Sequence, residues 1–250
     1  TTGTANVAIG NEAFKTNTTG SYCVAVGDSA LAANTTASNN TAVGRSALGA
    51  NTTGVDNTAY GYQALRDNTT AHYNTAIGNR ALYQNTTGQY NVAIGNQSSA
   101  SNTTANANVA IGYAALEDNT VNIHVAVGHE ALKENTTGVN NNAVGAYTLK
   151  INTTGQNNNA MGYYALGNNT TGSNNNAFGY QALYNHTTGA KNICLGSFAG
   201  GNITTGENNV CIGYDAGKTG TPPGNITTQS HHVALGNNDT TWIGGKVSFT

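Results

Sequence analysis

The chain has 250 residues, of which only 8% are charged and 32 are glycine, with a net charge of −2 and a pI near 6.2. Charge at a third of the usual level argues against both an ordinary globule and a charge-rich disordered segment. The balance leaves no electrostatic footprint for nucleic acid or an anionic membrane surface, and no apolar run approaches the roughly twenty residues of a membrane helix.

In chain order, the sequence opens on Thr1-Thr2-Gly3, which reads as the tail of a rung whose beginning is missing, so a longer, processed parent is expected. From Asn6 onward a single motif recurs. Its fifth residue is glycine at Gly10, Gly27, Gly44, Gly61, Gly78, Gly95, Gly112, Gly128, Gly145, Gly162, Gly179, Gly196, Gly213 and Gly236, and the first seven of these are spaced by seventeen residues. Self-similarity at a fixed period is the signature of a solenoid and overrides local propensity. Position one is Asn, two is β-branched or Asn, three is Ala, four is a large apolar residue, and eight and nine are Ala and Leu. Positions twelve to fifteen are Asn-Thr-Thr-Gly.

A glycine in every rung opposes helix, and short strands joined by Gly and Asn turns fit better. Positions one to five read as one strand and roughly seven to ten as a second. The expected fold is all-β, a parallel β-solenoid or β-roll of about fourteen 17-residue rungs over residues 1–236. At about 4.8 Å per rung the rod would be on the order of 65 Å long. One rung is a residue short around Thr120-Val121-Asn122. A six-residue insertion at 218–226 carries Pro222 and Pro223, which mark a surface loop. After Gly236 the pattern dissolves, and 237–250, with Trp242, reads as a cap or junction segment.

Side-chain direction sets the expected assembly. Neighbours in a strand point to opposite faces, so positions two and four face one way and three and five the other. Ala and Leu at eight and nine would likewise point apart. That leaves small or apolar side chains on both faces of a thin coil, an exposure monomers avoid, and packing of copies into a homotrimer is the simplest remedy. Stacked Asn at position twelve, from Asn17 to Asn169, predicts an amide ladder of the cross-β kind. His124 and His232 at position one and His186 at position twelve read as substitutes within such ladders.

The core Asn-x-Ala-(Ile/Val)-Gly-x-x-Ala-Leu, as in Asn57-Thr-Ala-Tyr-Gly-Tyr-Gln-Ala-Leu65, resembles the head repeats of trimeric autotransporter adhesins of the YadA type. It is closer still to Asn-Thr-Thr-Gly arrays of bacteriophage tail fibres, which often precede an intramolecular chaperone of the endosialidase type. The resemblance covers nearly all of the chain, although autotransporter heads repeat at about fourteen residues rather than seventeen. It implies a left-handed homotrimer in an extracellular fibre of the virion, without membrane insertion, that holds or forms a surface for a host glycan or protein. Trp242–Thr250 resembles the segment just before such a chaperone, so a mature end at Thr250 would suit proteolytic release. The alternatives are the head of a bacterial surface adhesin, or an ice-binding solenoid built on the threonine columns.

No catalytic constellation, cofactor motif or metal site is read from the sequence. Asp118 and Glu134 stack at position eleven, where a retaining glycosidase would want a close pair. Lys133 and Lys150 stack beside Glu117, however, and an exposed charge ladder explains the cluster. His231-His232 would concentrate imidazoles on a threefold axis, yet solvated or satisfied rings account for them. Cys23, Cys194 and Cys211 read as small buried hydrophobes. The candidate recognition residues are Tyr62, Tyr113, Tyr163, Tyr180 and Tyr214. All follow the recurring glycine and offer a flat apolar face with a polar tip, for contact with sugar rings or with neighbouring chains.

Overall fold

A computed structural model describes residues 2–218 and 226–237. Residues 219–225 of the insertion, with Pro222 and Pro223, and 238–250 of the segment with Trp242 lie outside them. Among the described residues there is no helix. Fourteen three-residue strands, from β1 (Val7–Ile9) through β5 (Thr75–Ile77), β7 (Val109–Ile111) and β9 (Asn142–Val144) to β14 (Val233–Leu235), form one sheet in strict sequential order. All neighbours are parallel, with like positions facing like: Ala76 sits on Ala93, and Ile77 on Ile94. The register passes the short rung, where Val109 meets Val125, and the insertion, where Val210 meets Val233.

The glycines form a column. Gly78 has φ +136°, and a Cβ built there would lie 2.4 Å from the carbonyl oxygen of Gly95 in the next rung. Any side chain at position five would therefore strike the backbone above it.

The second strand expected over positions seven to ten is absent. Those residues form turns, because the backbone is left-handed at positions seven and nine: Arg80 has φ 54° and Leu82 φ 49°. Ala81 N–H donates to the Gly78 carbonyl (3.4 Å), closing the first turn, and a positive φ at its third residue is what a type II turn requires. The energetic reason is burial. Strict alternation would send Ala81 and Leu82 to opposite faces, whereas the double left-handed step turns both inward, where each is fully buried. The two left-handed residues together cost roughly 2–4 kcal/mol, which burying the leucine side chain (about 1.5–3 kcal/mol) and the alanine methyl (about 0.8 kcal/mol) offsets. The interior therefore takes up positions three, eight and nine, and only positions two and four remain outside as an apolar strip.

Two amide ladders line the interior. At position one, the Asn74 Oδ1 accepts from the Asn91 backbone N–H (3.0 Å), while Asn74 Nδ2 donates to the Gly88 carbonyl (2.8 Å). At position twelve, Asn68 Nδ2 donates to Asn51 Oδ1 (2.8 Å), and Asn85 to Asn68 (3.0 Å). Each amide thus closes its own rung and caps its neighbour, satisfying groups that burial would otherwise leave costly. Threonine at position thirteen adds a third link, as in Thr52 Oγ1 to the Thr69 carbonyl (3.0 Å).

Departures from the motif are coordinated. In the two rungs where Cys194 and Cys211 replace alanine, Gly200 and Gly217 replace leucine, and Ile203 and Ile226 replace the position-twelve Asn. A Cβ at Gly200 would meet Cys194 Sγ at 2.4 Å and Ile203 Cδ1 at 3.1 Å. The cysteine and isoleucine thus fill the volume the leucine leaves. All three cysteines are free and buried.

One rung is not compensated. Ser98 and Ser99 replace Ala and Leu. At this level the buried core divides into one cluster from Phe14 to Ala93 and another from Ala110 to Ala234. Ser99 Oγ and Asn85 Oδ1 are buried without a partner, because Asn102 donates only to the Ala105 carbonyl rather than across to Asn85. Ser99 already has the backbone of the leucines, φ 50°. Ser99→Leu is therefore expected to stabilise the rod by about 1–2 kcal/mol, raising the urea midpoint. An unchanged or lowered midpoint would show that this rung tolerates no apolar bridge.

Candidate recognition surface

Position six follows the glycine column and position seven is left-handed, so consecutive side chains splay onto the same outer surface instead of alternating. The aromatic residues there meet from rung to rung. Tyr113 stacks on His129 with ring centroids 5.0 Å apart, His129 lies 5.0 Å from Tyr147, and Tyr147 stacks on Tyr164 at 4.7 Å. Tyr163 stands edge-on to Tyr164 (4.7 Å) and stacks on Tyr180 (5.6 Å). Phe198 continues the row to Tyr214 at 6.0 Å. The result is an unbroken aromatic row over seven rungs, about 29 Å at the usual interstrand spacing. Tyr113, Tyr163, Tyr180 and Tyr214 each remain over a third exposed.

Of the five tyrosines singled out in the sequence, the structure unites four. Tyr62 stands apart, three rungs before Tyr113, with the Arg45 guanidinium 5.9 Å from its ring. Sequence reasoning missed His129, Tyr147, Tyr164 and Phe198. His129 shares the tyrosines' slot, so its place in the row was visible once histidine counted as an aromatic ring. The other three occupy position seven, and only the positive φ there (58°, 56° and 60°) brings them beside position six.

Charges rim the row. Lys150 Nζ lies 2.7 Å from Glu130 and 5.4 Å from the Tyr147 ring, and Lys133 bridges Glu117 (3.4 Å) and Glu130 (3.6 Å). The hydrogen bond from Lys150 holds the Glu130 carboxyl below its ordinary range. Asp118 accepts from Ser101 Oγ at 3.3 Å. Glu117 and Glu130 are thus tied to Lys133 and Lys150 in a ladder of alternating charge. Comparison with protein-family models, curated proteins and solved structures returns no match.

The histidines divide by place. His231 is exposed, while His232 is half-buried at position one, its backbone N–H donating to Asn209 Oδ1 (3.0 Å). Among the described residues no group of three or more His, Cys, Asp or Glu is placed to hold a metal. His124 and His186 are buried within the ladders, and desolvation pushes both down to about 4. Of the threonine columns, position thirteen spends its hydroxyls on the rung above. Position fourteen, such as Thr36, Thr53 and Thr70, is exposed, as are Thr18, Thr103 and Thr136 at position thirteen, where the Thr18 and Thr136 hydroxyls are already bonded. That is one free row, where a flat ice-matching face would want two.

Proposed function

We propose that this chain is the structural and receptor-recognition section of a homotrimeric bacteriophage tail fibre, without catalytic activity of its own. The observation that carries the reading is the uncharged outer strip. Positions two and four contain no charged residue in any of fourteen rungs, yet Ile9, Tyr60, Met161, Phe178, Leu195 and Ile212 stand exposed along it. Depletion of charge on an apolar surface marks an interface core. A face with one ridge per rung is complementary in period to another copy of itself. Three copies facing one axis would cover the strip and leave the aromatic row outward, free for a host glycan or protein. The repeat's resemblance to tail-fibre arrays points the same way.

Sedimentation of the rod is expected to give three times the chain mass of 25.5 kDa, and a monomer would overturn the assembly. For recognition, excess purified rod is expected to block virion adsorption to host cells. Tyr163→Ala with Tyr180→Ala should reduce that block at least tenfold, about 1.4 kcal/mol or more of binding, while the mass is unchanged. Undiminished blocking would remove the row from receptor contact.

A further inference from the structure

Identical rods of identical rungs have a problem of alignment: a copy displaced by one rung finds nearly the same surface. Position two of the outer strip is not uniform, however. In chain order it reads Val7, Val24, then Thr41, Thr58, Thr75, then Val92, Val109, Val125, then Asn142, Asn159, Asn176, then Ile193, Val210 and Val233. The polar residues fall in two separate bands of three, divided by three valines. The asparagine band is a built feature, since Asn142 Nδ2 donates to Asn159 Oδ1 (2.8 Å) and Asn159 Nδ2 to Asn176 Oδ1 (3.1 Å) along the outside of β9, β10 (Asn159–Met161) and β11 (Asn176–Phe178). These bonds use one N–H each from Asn142 and Asn159, so amide hydrogens remain for a neighbour across the strip.

We infer that the two polar bands fix the axial register of the copies, each band meeting the same band of its neighbours. This rests on the homotrimeric reading above. In register, Asn faces Asn and Thr faces Thr, and their polar groups can pair between copies. A two-rung slip sets two of the three asparagines against valine or isoleucine, and a three-rung slip all three. Burying an amide without a partner costs about 1–3 kcal/mol, multiplied over three copies, whereas the apolar position-four residues lose little by exchanging one another. A single polar core residue sets register in coiled coils by the same logic.

The test uses cysteine reporters on the strip, with Cys23, Cys194 and Cys211 buried and out of reach. Ile77→Cys and Ile111→Cys proteins are mixed, co-refolded and oxidised. In aligned copies residues 77 and 111 lie two rungs apart, about 9.6 Å along the axis, beyond disulfide reach. The native strip should yield only 77–77 and 111–111 bridges. In a background with Thr41→Val, Thr58→Val, Thr75→Val, Asn142→Val, Asn159→Val and Asn176→Val, which places valine where seven rungs already carry it, 77–111 bridges should rise at least fivefold. Mixed bridges already abundant in the native strip, or none gained in the variant without either band, would overturn the register role. Absence of any bridge in a three-chain particle would take position four off the interface. A one-chain mass would instead overturn the assembly itself.

Discussion

Gly78→Ala is expected to destabilise the rod by about 3–5 kcal/mol. Two costs combine. The φ of +136° lies in a region L-residues occupy only at about 1–3 kcal/mol, and the new Cβ would sit 2.4 Å from the Gly95 oxygen and 2.6 Å from its carbonyl carbon. The clash is with backbone, not a flexible tip, so relief requires parting two rungs and weakening the bonds from β5 to β6 (Val92–Ile94). Overpacking of this kind typically costs a further 1–3 kcal/mol. The neighbouring Asn79→Ala, at an exposed position, should change stability by no more than about 0.5 kcal/mol. Chemical denaturation of both variants checks the contrast. A loss under about 1 kcal/mol at Gly78 would mean that the column opens without penalty.

Acidification from pH 6.5 to pH 4 is expected to remove several kcal/mol of stability, and His124 and His186 are the cause. His186 occupies an asparagine slot. Its Nδ1 lies 2.9 Å from Asn169 Oδ1 and so carries the hydrogen, while Nε2 lies 3.2 Å from Asn192 Nδ2 and accepts. The neutral ring satisfies both neighbours, and a second proton would set two donors against each other in a buried site. Burial holds the folded-state values of both histidines at about 4, against about 6.5 in the unfolded chain. Between those limits the unfolded chain binds more protons, so stability is complete above pH 6.5 and is lost as pH falls toward 4. Each histidine contributes about 3 kcal/mol over that window.

His124→Asn with His186→Asn, which restores the ladder residue, should flatten the pH dependence between 6.5 and 4. Losses below about 4.5 should persist, because Glu130 is held ionised by Lys150. Urea midpoints measured at steps of half a pH unit decide the matter. An unchanged slope in the double variant would assign the acid lability elsewhere.

The period, the glycine column and the amide ladders were legible in the sequence because they follow from stacking alone. Once rungs superimpose, Gly78 must clear Gly95 and Asn68 must answer Asn51, whatever path the chain takes between them. The sequence also set Ala76 and Ile77 on opposite faces, since strand alternation is local. Its account of Ala81 and Leu82 failed for the complementary reason. Nothing in a leucine's own preference favours φ near +50°. Burying two adjacent side chains on one side compensates for that conformation, and burial exists only once the coil has closed.

The same left-handed turn decided the recognition surface. It carried Tyr147, Tyr164 and Phe198 to the level of Tyr163 and Tyr180, and left Tyr62 outside the row because Asn79 and Asn96 occupy the slots between. The seam at Ser99 likewise emerged only in three dimensions. A serine in a leucine column is a visible departure, but whether a partner reaches it depends on where Asn102 turns. Repetition, then, was written into the chain, while the burial that bends each rung was decided by closure of the coil, since solvent exclusion depends on the whole stack and not on any one rung.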